Sequence, residues 1–209
     1  MLRLIALITM LIDHIGLIFF PQSVIFRIIG RFAFPLFAWG ITQGYIYTKN
    51  IKKYAQRILL LALISQPIFF LSISPDRLNI CFTLLFGLLA IYTFDKSNNR
   101  FLKIFFPLLI AIFAYLFNLE YGAYGVLLIL FFHIFKKWPH LILAQFILIA
   151  SYVLLSPQHL FNIFAIFAIF LIIPLEKYHF KINRSFQYLF YPLHLLLLYL
   201  IKISSLVKL

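Results

Sequence analysis

The sequence predicts an all-α, polytopic transmembrane helical bundle, and three observations predict it. Of the 209 residues, 65% are hydrophobic and only 11% are charged, against about 25% charged in an average water-soluble domain. Several apolar stretches approach the ~20 residues that a helix needs to cross a bilayer core. Stretches such as "LLLALIS" and "LHLLLLYLI" do not alternate apolar with polar residues, as barrel strands do. A lipid-exposed backbone must satisfy its own hydrogen bonds, so the spans are helices.

Nine spans are read, at about Leu4–Phe20, Val24–Tyr47, Tyr54–Ile73, Leu78–Phe94, Phe101–Phe117, Tyr121–Phe135, Leu141–Leu155, Leu160–Leu175 and Phe186–Ile203. The pair Phe101–Phe117 and Tyr121–Phe135 is the weakest, joined only through "NLEYGAYG". No soluble domain, low-complexity segment or internal repeat interrupts the series, so residues 1–209 read as one integral membrane domain. The first run has Arg3 ahead of an apolar core, as a signal peptide does. It lacks a small-residue cleavage site and holds Asp13 and His14, so it reads as a retained helix.

Loop charge sets the orientation. With the N-terminus inside, thirteen Lys and Arg residues fall on inside segments, including the cluster Lys49, Lys52, Lys53 and Arg57 and the group Lys177, Lys181 and Arg184. Four fall outside: Arg27, Arg77, Lys202 and Lys208. Cytoplasmic loops are enriched in Lys and Arg, so the N-terminus is expected in the cytoplasm and the C-terminus outside. The same rule accounts for the formal charge of +13 without nucleic acid, for which no basic domain stands outside the membrane. The single Cys81 can make no internal disulfide.

Against this apolar background the ionisable residues stand out. "LIDHIGLIFFP" puts Asp13 about ten residues into the first span, near mid-membrane. A carboxylate there costs on the order of 3 kcal/mol on insertion scales, and such residues are functional candidates by default. His14 projects about 100° away from Asp13 on a helix, so the two line one cavity more readily than they bond each other. A neutral His suits general-base work. His194, in "YPLH" of the last span, is the second intramembrane His and the natural partner for a site near His14.

The second span opens with "RIIGRFAFPLF". Arg27 and Arg31, four apart, share a helix face. Arg27 lies near the boundary and can snorkel. Arg31 is deeper and needs a partner or an oxyanion, which Arg binds well; an Asp13–Arg31 ion pair is the plain structural reading. Gly30 permits close approach, and Pro35 is expected to kink the helix mid-span. In "KNIKKYAQR", Lys53 and Arg57 serve topology on the plain reading and cofactor phosphates on the functional one. Other polar points are "SQP", "LNICFT" with Asn79 and Thr83 on one face, and "EYGAYG"; helix–helix hydrogen bonding is their plain reading. No spacing reads as a metal site, and neither a Walker motif nor GxGxxG occurs.

These segments, in this order and over nearly the whole chain, resemble the TraX family: "DHIG" with a following "FFP", "RIIGRFAFPLFAWGITQGY", "KKYAQRILLLALISQP", "LNICFTLLFGLLA", "YGAYGVLLILFF" and "YPLHLLLLYLI". The resemblance implies a membrane acyltransferase of the bacterial inner membrane. The family's characterised activity is acetylation of the N-terminus of a conjugative pilin subunit from acetyl-coenzyme A. A looser similarity is to acyltransferase-3 type membrane acetyltransferases, which carry a basic residue, ten residues and then His in the first helix. Arg3 and His14 have that spacing. Lys53 and Arg57 approximate that group's paired arginines, with one extra residue between them.

On these resemblances the expected catalytic residues are His14, Asp13, Arg31 and His194. The expected donor-binding residues are Arg27, Arg31, Lys53 and Arg57, and no metal is expected. The donor is acetyl-coenzyme A, and the acceptor is an amine or hydroxyl of a pilin-like peptide or surface glycan. Two other classes stay open on the residues alone: an ion- or proton-coupled transporter that uses Asp13, and a non-catalytic membrane scaffold.

Overall fold

The structure is a computed structural model that describes residues 1–178 and 183–206. Lys181 and Lys208, counted in the charge reading, lie outside the described residues. In chain order the helices are α1 (Leu2–Phe19), α2 (Val24–Gly30), α3 (Ala33–Tyr47), α4 (Ile51–Ser72), α5 (Ile80–Lys96), α6 (Arg100–Leu116), α7 (Gly122–Ile134), α8 (Trp138–Leu155), α9 (Ala168–Leu175) and α10 (Arg184–Leu206). A 3₁₀ stretch, Pro157–Phe167, leads into α9. Among the described residues there is no strand, only an isolated bridge between Leu78 and Leu119.

The all-helical membrane architecture stands, and five helical segments are long and apolar enough to cross a membrane: Leu2–Phe19, Val24–Tyr47, Ile51–Ser72, Trp138–Leu155 and Ser185–Ser205. Five of the nine expected spans thus have that length, and the other four are shorter helices. The helices α5 and α6 hold 17 residues each and α7 holds 13. At 1.5 Å per residue a 17-residue helix reaches about 26 Å, short of a ~30 Å hydrocarbon core. The expected span Leu160–Leu175 is a short apolar helix that passes from 3₁₀ to α at Ala168.

The short helices have a structural cause: α5 and α7 begin inside the bundle. The Asn79 side chain, capping α5, donates to the carbonyl of Ala62 at 2.8 Å, halfway along α4. Backbone bonds from Leu78 to Asn118 and from Glu120 to Leu78 tie the start of α7 to the same level. The Thr83 hydroxyl bonds the Glu120 carbonyl across that junction. Buried backbone must find partners, and here the two helix starts satisfy each other.

The α5–α7 unit packs through α3 and α4 onto the rest of the bundle, where α1 contacts α2, α3 and α10, and α10 lies on α4. The core is apolar, with Phe69, Leu88, Ile129, Phe132 and Leu195 fully buried. Large apolar side chains such as Leu63, Leu108, Ile112, Phe146 and Leu197 remain exposed on the outer faces. A soluble monomer rarely tolerates such a belt, whereas lipid tails cover it.

Pro35 acts one turn upstream of the expected mid-span kink. It is the third residue of α3, where a missing N–H costs no helical bond. Its ring excludes the carbonyl four residues back, which belongs to Arg31. The helix breaks there, at Arg31–Phe32, between α2 and α3.

Candidate functional site

Two polar regions meet around the middle of α1. The first is an ion cluster. Arg27 Nη1 donates to Asp13 Oδ1 at 2.9 Å, and Arg31 Nη2 reaches both Asp13 oxygens at 3.1 and 3.2 Å. Arg31 is completed by Asn162 Oδ1 at 2.9 Å and by the Arg27 carbonyl at 3.2 Å. Its guanidinium also lies over the Tyr121 ring, 5.9 Å from the centroid. A Cβ on Gly30 would fall 2.1 Å from Asp13 Oδ1, so glycine is what lets the carboxylate sit against α2. Each of the three guanidinium nitrogens of Arg31 has a hydrogen-bond partner, as a buried charge requires.

The second region is a histidine pair. His14 Nδ1 and His194 Nε2 are 2.7 Å apart, and His194 Nδ1 lies 2.7 Å from the Phe190 carbonyl. A carbonyl only accepts, so in the neutral rings His194 Nδ1–H donates to it. His194 Nε2 then accepts from His14 Nδ1–H, and the lone pair of His14 sits on Nε2. Among the described residues nothing bonds that Nε2. The pair thus presents one basic nitrogen with its tautomer fixed from behind.

A cavity of about 900 Å³ lies nearby, lined by neighbours of the pair and not by the histidines themselves. Its rim carries Arg3, Lys49, Lys53 and Arg57, contributed by α1, the α3–α4 connection and the first turns of α4. Asn50 caps α4 by accepting from Lys53 N–H at 2.9 Å, and the positive end of that helix faces the same rim. The shaft is apolar, with Leu36, Ile41 and Leu61 on its walls. The inner end is Met10, Ile80, Cys81 and Tyr191. Met10 precedes His14 by one helical turn, and the Tyr191 ring lies 6.4 Å from His14 and 5.7 Å from His194 between centroids. A basic mouth and a mainly apolar wall suit an anionic ligand with a long uncharged arm; neither histidine lines the cavity, and the pair lies behind Met10 and Tyr191. The volume falls within the several hundred to about 1,000 Å³ usual for such sites.

The structure therefore sorts the sequence-read residues into three groups. His14 and His194 come together. Asp13, Arg27 and Arg31 come together, with Arg27 folded onto the carboxylate rather than snorkelling. Lys53 and Arg57 line the basic rim. Arg27 and Arg31, expected to share donor binding with Lys53 and Arg57, do not line that cavity, because Asp13 holds them around α2. Asn162 escaped the sequence reading; its only signal was a lone amide near the start of an apolar run. Tyr191 was visible in "YPLH" but received no role. Among the described residues, no cluster of three or more His, Cys, Asp or Glu side chains is placed to hold a metal.

Comparison with known proteins places the chain. The family model described as "TraX protein" matches residues 1–202. The chain belongs to the TraX family. A "probable fimbrial assembly protein FimC, serogroup H1" of Dichelobacter nodosus is 27% identical over 227 aligned positions, covering 94% of this chain and 92% of that protein. An uncharacterized protein, RP591, of Rickettsia prowazekii (strain Madrid E) is 36% identical over 103 positions, 48% of this chain and 39% of that one. No solved structure matches.

Proposed function

We propose that this TraX-family protein is an acyltransferase that moves an acetyl group from acetyl-coenzyme A to an amine or hydroxyl of a membrane-associated or exported acceptor. One observation carries the reading: a basic-rimmed cavity reaches Met10 and Tyr191, the residues that adjoin a histidine pair with one open nitrogen. Lys53 and Arg57, with Arg3 and Lys49, hold the donor's phosphates. The pantetheine arm occupies the shaft, and the thioester reaches the Met10–Tyr191 end. His14 Nε2 takes the acceptor's proton as the nucleophile attacks, then returns it to the departing thiolate. His194 fixes the tautomer, and Asp13 anchors the helix that presents His14.

The donor is cytosolic, so the basic rim and the N-terminus face the cytoplasm, and the membrane is the bacterial inner membrane. The relative described as a fimbrial assembly protein favours a pilin-like peptide over a glycan as acceptor. Asp13 is engaged by two arginines, which suits an anchor better than the free carboxylate of a proton relay.

The test is calorimetric titration of the detergent-purified protein with acetyl-coenzyme A, coupled to a thiol-release assay, for wild type and His14→Ala. Binding by both, with thiol release only by wild type, is the expected result. No binding by folded wild type at millimolar donor would sink the reading.

A further inference from the structure

Two glycines one turn apart on α3 line the same cavity but differ in what they face. Leu36, Gly40, Gly44 and Tyr47 follow one another along one side of that helix, and all four line the cavity. The chain leaves α3 at Tyr47 and passes into the basic rim at Lys49. Gly40 is seven residues before Tyr47, so it lies about 10 Å below the mouth at ~1.5 Å per residue. A Cβ on Gly44 would run into the Tyr54 hydroxyl, which α4 presses against it, so a packing contact explains that glycine. A Cβ on Gly40 would meet nothing within 4 Å.

Glycine inside a helix is costly relative to alanine, because the chain gives up more freedom on folding. It is suited to a left-handed backbone or to a close approach by another group. Of the seven glycines, Gly122 is left-handed, with a φ of 45°. Five others, Gly44 among them, would drive a Cβ into a neighbouring side chain. Gly40 has neither reason: its φ is not positive, and no neighbour packs where its Cβ would stand. What it faces is the cavity, between the apolar side chains Leu36 and Ile41. The group that approaches its backbone is therefore a ligand of that cavity, at a level where the wall is uncharged.

We infer that Gly40 is the point at which the donor's uncharged arm crosses α3, and that its missing side chain is what admits a donor carried on such an arm. The inference rests on the acyl-transfer reading and adds a specificity-determining residue to it. The rim holds the anionic head, and Gly40 sets the bore of the shaft about two helical turns below. A ligand with the head alone stays at the rim and does not depend on Gly40. A donor whose arm must pass to the Met10–Tyr191 end depends on it.

The test is calorimetric titration of wild type, Gly40→Ala and Gly40→Leu in detergent with two probes: acetyl-coenzyme A, and adenosine 3′,5′-bisphosphate, which has a phosphate head and no arm. Gly40→Leu is expected to weaken the donor by about 10- to 100-fold, the range for forcing bulk into a filled space, and to bind the bisphosphate within about twofold of wild type. Gly40→Ala is expected to show an intermediate loss for the donor. Its melting temperature is expected to be at or above that of wild type, because the methyl group meets no neighbour and alanine favours the helix. A folded Gly40→Leu that binds the donor as tightly as wild type would overturn the inference. So would equal losses for the two probes, which would put the damage at the rim. If the leucine variant does not fold, the alanine variant decides by donor affinity, and an unchanged affinity overturns the inference. In each of these cases donor binding by wild type and His14 dependence would leave the acyl-transfer reading standing. Failure of wild type to bind the donor would remove both.

Discussion

Asp13 and His14 are consecutive residues on α1, yet they enter regions of opposite character. Asp13 meets two guanidiniums, and the Arg31 guanidinium is in turn closed by Asn162 and the Arg27 carbonyl. His14 meets one imidazole on one side and keeps its second nitrogen unbonded, one helical turn from the end of a large cavity. The rotation of about 100° between neighbours on a helix separates the two environments. A charge in a low-dielectric interior survives only with its hydrogen bonds complete, so the closed region fixes geometry. A neutral ring with one open lone pair is available for proton transfer, the role that the proposed acyl transfer gives it.

The contrast is broken most directly at the two neighbours themselves. His14→Ala should lower turnover by about 10³-fold, within the range for a general base, while the melting temperature in detergent and donor affinity stay near wild type. Asp13→Ala should do the reverse. It strands two arginines and should cost about 3–5 kcal/mol of stability, read as loss of folded protein in a detergent unfolding titration. Asp13→Leu with Arg31→Leu should recover part of that loss, since removing both partners costs less than stranding one. If Asp13→Ala folded normally but lost turnover, the division between anchor and catalyst would fail.

Smaller effects sharpen the comparison. His194→Ala frees the His14 tautomer and should slow turnover by about 10²-fold, less than loss of His14 itself. Gly30→Ala puts a methyl group into Asp13 and should destabilise by about 1–3 kcal/mol, measurable as a lower melting temperature with no change in donor KM per folded molecule. Lys53→Ala or Arg57→Ala should raise the donor KM by about fivefold each with kcat unchanged. The difference should shrink at high salt, because exposed charge contacts are weak and screened.

The sequence made some of this legible and hid the rest for physical reasons. Asp13, His14, Arg31 and His194 were visible because each is costly in an apolar run, and a helix gives such residues few places to hide. The pairing of the two histidines followed from their rarity. The partition of the basic residues did not: Arg27 and Lys53 carry the same charge, and only the path of α2 back along α1 separates them. The lengths of the inner helices were hidden for a related reason. Apolar runs such as "CFTLLFGLLA" look alike whether lipid or protein surrounds them, and composition does not record that α5 starts halfway along α4. Asn162 and Tyr191 are polar atoms whose importance depends on what lies across the bundle.

The shortness of α6 reaches beyond the protein. It presents Leu108, Ile112, Phe113 and Leu116 outward, yet its 17 residues cover about 4 Å less than a typical hydrocarbon thickness. Lipids against that flank must compress to meet it, at a fraction of a kcal/mol for each ångström of mismatch. Where that flank meets lipid, the bilayer is expected to thin on one side of the molecule, which should then partition toward thinner, more fluid regions of the membrane.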